Sequence, residues 1–250
     1  MKPEILYGIH PVVEALKADR RDVYEVCILK DKTTGRLEKI LVLAESKKIP
    51  VVRVNHLTLK SKTGTEFHQG VCAKTSPYPL AKLTDIDDRV RKEKSNFFIL
   101  LLDNILDSQN LGALVRTALC VGVEWVVIPK DRSALPTPAV SKASAGALEH
   151  LKLVRVVNMV RVIKTLKEKG LWIVGLDQAS DRSIFFSDLT GSVAIVIGGE
   201  EKGIRPLVKK HCDFLISIPQ TGPVGSLNAS VAGAIAMYEA FRQRMFLRKG

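Results

Sequence analysis

The sequence lacks the features of membrane-spanning, secreted and metal-binding proteins. No apolar run reaches the roughly 18 residues that a spanning helix needs, and the amino-terminal stretch has no continuous apolar segment typical of a secretion signal. The four cysteines (Cys27, Cys72, Cys120 and Cys212) form no C-x-x-C pair, and the five histidines show neither H-E-x-x-H nor zinc-finger spacing. We therefore expect a cytoplasmic protein with reduced, buried thiols and no metal.

Two common nucleotide-binding loops are absent as well. No G-x-G-x-x-G stretch occurs, which excludes the dinucleotide fingerprint. The spacing from Gly198 to Gly203 imitates a phosphate-binding loop, but Ile204 and Arg205 stand where that loop needs Lys and Ser or Thr. The two glutamates between the glycines would repel a polyphosphate. The ligand of this loop is therefore expected to be neutral or cationic.

What the sequence does have is a large excess of positive charge. It carries 38 Lys and Arg residues against 26 Asp and Glu residues, a net charge of +12. Such a charge attracts polyanions and makes their binding salt-dependent. No RGG tract or polybasic tail occurs, so the charge decorates a folded surface. Nucleic acid is the favoured partner, and solubility alone is the alternative explanation.

The chain divides into two parts of α/β character. Residues 1–78 alternate short helical and strand patterns, which predicts a compact α/β module. Residues 79–95 combine prolines with clustered charges, as a linker with a short surface helix does. In residues 96–250 continuous apolar strand runs alternate with helical patterns, which predicts a parallel sheet covered on both faces. Ligands of such sheets bind at the carboxyl ends of the strands.

The stretch DSQNLGALVRTALCVGVE places one charged side chain in an apolar helix. Asp107 and Ser108 predict the helix cap, and Arg116 is the only charged residue between Asp107 and Glu124. A guanidinium in such surroundings needs a carboxylate, phosphate or interface partner, which favours a functional role for Arg116. The alternative is that its aliphatic stem lies along the apolar face.

A loop rich in glycine and proline leads from the last strand into the carboxy-terminal helix. Ser226, Leu227 and Asn228 enter this helix, and Ser226 is the expected cap. Apolar residues then recur at alternating steps of four and three, at Leu227, Val231, Ala234, Tyr238, Phe241 and Met245. The pattern predicts a stripe buried against the core or against a partner subunit, and periodicity does not separate the two.

Together, NILDSQNLGALVRTA, IVIGGEEKGI and ISIPQTGPVGSLNASVA resemble the three motifs of the SpoU (TrmH) branch of the SPOUT methyltransferases, in the family's order and spacing. The first part, which opens YGIHPVVEAL, resembles the family's RNA 2′-O-ribose methyltransferase substrate-binding domain, which is similar to ribosomal and kink-turn-binding proteins. The likeness covers nearly the whole chain. It points to the type that methylates a guanosine of 23S ribosomal RNA.

The resemblance implies both a fold and a cofactor. The fold is α/β: a smaller amino-terminal substrate-binding domain of ribosomal-protein type (1–78), a linker (79–95) and a SpoU methyltransferase domain (96–250). The parallel sheet of that last domain would end in a deep trefoil knot. The methyl donor would be S-adenosylmethionine, whose cationic sulfonium tolerates nearby carboxylates. By match to the motifs, the cofactor would be lined by Gly198, Gly199, Ile218 and Leu227.

The resemblance also assigns residues to the chemistry. A ribose hydroxyl is a poor nucleophile until its proton is removed or polarised. This step falls to Arg116, as a base or as the cation that anchors the neighbouring phosphate. Because guanidinium stays protonated, we favour positioning and electrostatic activation. Asn110 and Glu200 are expected to orient Arg116, while Ser226 and Asn228 place the acceptor nucleotide and close the cofactor pocket.

The resemblance implies partners too. These are large-subunit ribosomal RNA and a second copy of the chain, because SPOUT active sites are completed at a subunit interface; no metal is implied. Alternative substrates within the same fold are tRNA and a ribosomal adenosine methylated in antibiotic resistance. A non-enzymatic RNA-binding or assembly protein is the alternative from another class. It explains the charge but leaves Arg116, Glu200 and Asn228 without a function.

Overall fold

The computed structural model of the chain describes residues 2–30, 35–92, 96–222 and 225–247. The chain forms two compact units. The first consists of Met1–Pro79 and Leu135–His150, and the second of Leu80–Ala134 and Leu151–Gly250. The change of unit after residue 79 lies next to the predicted end of the first domain, whereas the return of the chain to the first unit was not predicted.

The first unit is a four-stranded sheet covered by helices on both faces. Its main elements are β1 (Glu4–Tyr7), α1 (Ile9–Ala18), β2 (Val23–Leu29), α2 (Gly35–Ser46), β3 (Val51–Val54), α3 (His56–Thr63) and β4 (Val71–Thr75). The strand order is β1-β4-β2-β3, and only β2 and β3 run parallel. Apolar side chains of α1 and α2 pack on one face, and Leu59 of α3 packs on the other. The predicted α/β alternation is confirmed.

The second unit contains the predicted parallel sheet. Its elements are α4 (Leu83–Lys92), β5 (Phe98–Asp103), α5 (Ser108–Cys120), β6 (Trp125–Pro129), β7 (Lys152–Val156), α7 (Met159–Glu168), β8 (Trp172–Leu176), β9 (Val193–Gly198), α8 (Pro206–His211), β10 (Phe214–Ile216) and α9 (Ala229–Leu247). All neighbouring strands are parallel, in the order β10-β8-β9-β5-β6-β7. Each of the six residues of β5 is buried, as a continuous apolar run requires.

The order of the strands decides where a ligand can bind. The chain runs outward from β5 through β6 to β7, while β9 lies on the other side of β5. Strands β5 and β9 end at the same level, since their last residues, Asp103 and Gly198, are paired. This is the point at which the strand order reverses, where open parallel sheets bind their ligands. The knot implied by the family resemblance stays a prediction.

The segment between β6 and β7 packs in the first unit, although the sequence analysis assigned it to the methyltransferase domain. It contains α6 (Pro138–Ala143) and a short 3-10 turn, Ala147–Glu149. The buried carboxylate of Glu149 accepts hydrogen bonds from Arg21 Nε at 2.7 Å and from Ser141 Oγ at 2.7 Å. Because these partners are far apart along the chain, no local pattern could predict this packing.

The helix predicted inside the linker is part of the second unit. Ile86 of α4 is fully buried in the core of that unit. Just before the helix, Ala81 forms a parallel bridge to Val154 of β7. The charged residues around Ile86 had favoured a surface helix, but the partly buried Leu83 and Val90 of the same helix pack against that core as well.

The carboxy-terminal helix turns a different face to the core than its periodicity predicts. Three residues of the predicted stripe are exposed, with Val231 at 47%, Tyr238 at 52% and Met245 at 40%, and the other three are only half-buried. The buried face carries mostly small residues together with Met237, and a side chain at Gly233 would collide with Leu114 and Ile197. Burial of the stripe against the core of its own chain is therefore a wrong prediction. Its other alternative, a partner subunit, stays open.

The structure also bears on the expectations about membrane-spanning helices and cysteines. Within the described ranges, no helix is long and apolar enough to cross a membrane. All four cysteines are free; Cys27 and Cys72 are buried and Cys212 is half-buried. Burial raises the pKa of Cys27 and of Cys212 to about 12. Cys120 in the last turn of α5 is exposed, so the expectation of buried thiols is wrong for this residue.

Candidate active site

The glycines after β9 are required by the backbone of the protein itself. A Cβ atom at Gly198 would lie well under 3.0 Å from the backbone of Gly203 and Ile204, and one at Gly199 would meet the carbonyl oxygen of Asn104 equally closely. The amide of Gly203 donates a hydrogen bond to the carbonyl oxygen of Gly199 at 2.9 Å. The loop thus folds back on the end of its own strand. The backbone of the chain itself therefore requires glycine at both positions, before any ligand binds.

An ion pair with a buried carboxylate holds the far end of this loop. Asp103 is fully buried at the end of β5, and Arg205 donates to it from its backbone nitrogen at 2.9 Å and from Nε at 2.8 Å. Nη2 of Arg205 lies 2.6 Å from Oδ1 of the same carboxylate. Such a two-pronged, charge-assisted contact fixes both position and orientation. The sequence analysis missed this pair, although a carboxylate at the end of an apolar strand is a usable signal.

A first cleft opens at the carboxyl ends of β8, β9 and β10. It has a volume of about 680 Å³ and lies entirely within the second unit. The four residues expected to line the cofactor, Gly198, Gly199, Ile218 and Leu227, all line this cleft. Ser226 lines it too, whereas its neighbours Pro223 and Val224 lie outside the described residues. The structure therefore brings together groups that are up to 29 positions apart in the sequence.

An ionised carboxylate that the sequence analysis did not single out stands in the first cleft. Asp177, after β8, forms an ion pair with Lys209 of α8, and both residues line the cleft. Burial raises the pKa of Asp177, but hydrogen bonds from Lys209 and from the backbone nitrogen of Ala179 outweigh it and hold the pKa below its usual value. This cleft is compatible with the neutral or cationic ligand that the glycine loop predicts.

The three sequence motifs meet in one hydrogen-bond network. Asn110 Nδ2 donates to Glu200 Oε1 at 3.1 Å, and Asn228 Nδ2 donates to Asn110 Oδ1 at 3.1 Å and also to Glu200 Oε1. The amide oxygen of Asn228 accepts from the backbone nitrogen of Ser230 at 2.9 Å, so Asn228 caps α9. Ser226, the expected cap, is not the residue that begins the helix. Glu200 thus contacts Asn110, which lies 90 residues earlier in the sequence, and Asn228, which lies 28 residues later.

A second cleft lies on the other side of this network. It has a volume of about 490 Å³ and shares the wall formed by Gly199, Glu200, Glu201 and Lys202 with the first cleft. Its remaining wall comes from the loops after β5 and β6 and includes Asn110. Glu200 thus lines both clefts.

Arg116 lies outside both clefts. It is exposed on α5, six residues beyond Asn110, which corresponds to about 9 Å along the helix axis. Among the residues that the structure describes, no hydrogen bond or ion pair joins Arg116 to Asn110 or Glu200, which instead bond to each other. Within one chain, therefore, these two residues do not orient the guanidinium as expected. Asp107 does cap α5, accepting from the backbone nitrogens of Gln109 and Asn110 at 3.2 Å each.

One cluster in the first unit has the composition of a metal site. His56, Glu66 and His68 place their ligand atoms within 4.8 Å of one another. The Nδ1 atom of His68 accepts a hydrogen bond from the backbone nitrogen of Gly70 at 3.0 Å, so its neutral ring carries the proton on Nε2. The carboxylate of Glu66 pairs with Lys60 at 2.5 Å. The other oxygen of this carboxylate lies 3.2 Å from Nε2 of His56, so ionic contacts within the first unit already account for the cluster.

Comparisons with known proteins agree with this geometry. The SpoU rRNA Methylase family matches residues 97–238, and the family "RNA 2'-O ribose methyltransferase substrate binding" matches residues 5–81. The first match contains all three motifs of the hydrogen-bond network. The chain belongs to the SpoU rRNA methylase family. The resemblance on which the sequence analysis relied is confirmed.

Individual members of the SpoU family match over very different lengths. The 23S rRNA (guanosine-2'-O-)-methyltransferase RlmB of Vibrio vulnificus is 40% identical over 98% of this chain and 99% of its own. The SpoU methyltransferase AviRb of Streptomyces viridochromogenes, solved with AdoMet, shares the fold at 23% identity and a TM-score of 0.81, over 97% of this chain and 90% of its own. A TrmH/SpoU tRNA modifying enzyme of A. aeolicus, 27% identical with a TM-score of 0.57, covers only 66% of this chain and 86% of its own.

Proposed function

We propose that this protein transfers a methyl group from S-adenosylmethionine to a ribose 2′-hydroxyl of RNA, and that the acceptor is a guanosine of 23S ribosomal RNA. The meeting of Asn110, Glu200 and Asn228 between two clefts carries the proposal, because a methyl transfer needs a donor and an acceptor on either side of one reaction point. The activity named for the Vibrio vulnificus relative supports the choice of a 23S guanosine.

The first cleft suits the proposed cofactor. Its volume lies in the usual range for small-molecule sites. Apolar walls from Ile218 and Leu227 face the ionised Asp177 and the carboxylate of Glu200. Bound there, S-adenosylmethionine supplies an electrophilic methyl group on a cationic sulfur, which these carboxylates do not repel. Gly198 and Gly199 keep the loop close to its own strand and so leave the cleft open.

The acceptor ribose would enter from the second cleft. Asn110 and Asn228 hold the carboxylate of Glu200 in place from two helices, so it needs no rearrangement when the substrate binds. The 2′-hydroxyl donates its hydrogen bond toward this network while a guanidinium anchors the adjacent phosphate. The guanidinium increases the acidity of the hydroxyl by its charge and does not act as a base. The hydroxyl proton would pass to solvent water as the oxygen takes the methyl group, and the donor would leave as the neutral thioether.

We infer that this guanidinium is Arg116 and that it acts in the cleft of a second copy of the chain. Arg116 is exposed and has no ionic partner among the described residues of its own chain. The neighbouring helix α9 exposes the apolar side chains of Val231, Tyr238 and Met245. A homodimer that covers this stripe would bring α5 of one subunit to the clefts of the other. The proposed substrate places the protein in the cytoplasm, where ribosomes are assembled.

Mapping of ribose methylation tests the proposed reaction. Ribosomal RNA from cells without this protein is expected to lack one 2′-O-methylguanosine in the 23S species, and the purified protein with S-adenosylmethionine is expected to restore it. Ribosomal RNA from cells that express the Arg116→Ala variant serves as the control. Loss of a methyl group from tRNA alone, or no loss in any RNA, would contradict the proposal.

The first unit is proposed to bind RNA, and Phe67 is the residue to test. Phe67 is 77% exposed on a loop that its own contacts hold in place, since its backbone nitrogen donates to Thr65 Oγ1 at 3.2 Å. An aromatic ring presented on an ordered loop in a basic unit suits stacking on an unpaired base. Deleting residues 1–78 is a poor test, because Leu135–His150 would lose the unit in which it packs.

We expect Phe67→Ala to weaken binding of a 23S RNA fragment roughly 5- to 150-fold, because stacking contributes about 1–3 kcal/mol per base. Phe67→Trp should bind as well as the wild type. Filter binding at fixed salt measures the affinity, and calorimetry with S-adenosylmethionine checks that the first cleft is unchanged. The matched control is Phe186→Ala, which removes a 90% exposed ring from the second unit. Equal losses in both variants would argue against a stacking role of Phe67.

A further inference from the structure

The second cleft contains an arginine to which neither the sequence motifs nor the comparisons assign a role. Arg132 lies on the loop after β6 and lines this cleft opposite the shared wall that carries Glu200. Its side chain is exposed, and no hydrogen bond or ion pair is formed by it within the ranges that the structure describes. The guanidinium is therefore available to a ligand in the cleft.

The backbone holds Arg132 in a conformation that arginine rarely adopts. Its φ angle is 55°, in the left-handed region. The residues on either side are tied to neighbouring strand ends: Ala134 donates to the carbonyl oxygen of Ile105 at 2.7 Å, and Lys130 donates to that of Val156 at 2.7 Å. The loop is thus fixed at both ends, and the strained residue is the one that lines the cleft. Strain of this kind is concentrated at binding sites.

The remaining polar groups of the cleft leave a place for an anion. Asp107 is engaged as the cap of α5, and Glu200 accepts from the two asparagines. Glu201 and Lys202 stand next to each other on the shared wall. Arg132, like Lys202, forms no ion pair with a described residue of the cleft. A neutral ligand would leave it uncompensated.

A second atom at the wall also points to a polar ligand. The side-chain oxygen of Asn104 is buried and accepts no hydrogen bond within the described part of the chain. Asn104 lines the same cleft and is itself in the left-handed region, with a φ angle of 63°. A buried acceptor of this kind is usually satisfied by a partner or a ligand. A nucleotide offers both an anion for Arg132 and donors for Asn104.

We propose that Arg132 binds a phosphate group of the acceptor strand in the second cleft, next to the nucleotide whose ribose is methylated. This rests on the proposed function. The planar guanidinium fork matches two oxygens of one phosphate, which a lysine does not. Glu200 belongs to the wall that the second cleft shares with the first. An RNA strand whose phosphate is bound by Arg132 would therefore have its ribose beside Glu200. Arg132 is a positioning residue: it acts in its own chain and complements Arg116, which lies outside both clefts.

The test compares Arg132→Ala, Arg132→Lys and wild type in single-turnover methylation of a 23S RNA fragment at saturating S-adenosylmethionine. We expect Arg132→Ala to raise the RNA concentration at half-maximal rate roughly 10- to 100-fold, as loss of a hydrogen bond to a charged group does. It should also reduce the slope of log affinity against log salt by about one. Arg132→Lys should restore the salt slope but only part of the affinity. Affinity for S-adenosylmethionine should not change.

Two further variants keep the test decisive. Arg132→Gly removes the guanidinium and relieves the left-handed strain, so it should fold even where Arg132→Ala does not. Arg161→Ala removes an exposed arginine of α7 outside both clefts and should behave as wild type. Unchanged RNA half-saturation and salt slope in the folded Arg132 variants would overturn the inference. If the wild type binds RNA but transfers no methyl group, the proposed function fails, and the RNA affinities still decide the phosphate contact.

Discussion

Replacing Arg116 by alanine is expected to slow single-turnover methyl transfer by about a hundredfold to a thousandfold, with affinity for S-adenosylmethionine nearly unchanged. The loss corresponds to about 2.7–4 kcal/mol, the usual cost of removing one group that stabilises a transition state electrostatically. Arg116→Lys should rescue poorly, because a point charge does not reproduce the planar fork. If Arg116 only supports packing or dimerisation, turnover per folded dimer will stay normal in the alanine variant.

A mixed dimer tests whether Arg116 acts across the subunit interface. Arg116→Ala subunits keep an intact first cleft, and Gly198→Ala subunits keep an intact Arg116. If each active site combines the cleft of one subunit with Arg116 of the other, mixing the two inactive variants restores one working site in each heterodimer. If Arg116 serves its own chain, the mixture stays inactive. Native mass spectrometry of the mixture verifies that heterodimers have formed.

Replacing Gly198 by alanine is expected to lower the affinity for S-adenosylmethionine on the order of a hundredfold, the equivalent of about 3 kcal/mol of steric strain. The new Cβ would lie well under 3.0 Å from backbone atoms of Gly203 and Ile204. These atoms are poorly placed to move, because the next residue, Arg205, is bonded to the buried Asp103. The loop would have to leave its strand, and the wall of the first cleft would be lost.

Isothermal titration calorimetry with S-adenosylmethionine measures the effect, and thermal unfolding shows whether the variant is folded. The matched control is Gly191→Ala, since a Cβ at Gly191 would meet nothing within 4 Å. It should bind the cofactor as the wild type does. Normal binding by a folded Gly198→Ala variant would mean that the glycine loop does not shape the cofactor site.

The strands and helices were predictable because each is encoded by neighbouring residues. The run VYEVCIL is β2, and FFILLLD contains β5. Continuous apolar runs also predicted that the second sheet is parallel and covered on both faces, since a strand exposed on one face alternates in polarity. The cap of α5 at Asp107 follows from the same kind of local reasoning.

The helix α9 shows where local reasoning fails. Its small residues and its large apolar residues form two different faces, and the period of the sequence does not say which one meets the core. The structure places Gly233 against Leu114 and Ile197, because a close helix–sheet contact needs a residue without a side chain. Of the larger apolar side chains, Met237 is buried with the small residues, whereas Val231, Tyr238 and Met245 are exposed. A hydrophobic pattern identifies an apolar face of a helix, but it does not say whether the core or another subunit packs against that face.

By itself, the sequence determined the elements, the family and the three motifs that carry the reaction, because these depend on residues close together along the chain. Only the tertiary structure decided which distant groups meet. The pairing of β5 with β9 brings Asp103 to Arg205 and Asn110 to Glu200, and the loop after β6 brings Arg132 to the second cleft. Buried polar groups need hydrogen-bond partners, which can come from any part of the chain. The strand order decides which groups lie close together, and no local sequence pattern encodes that order.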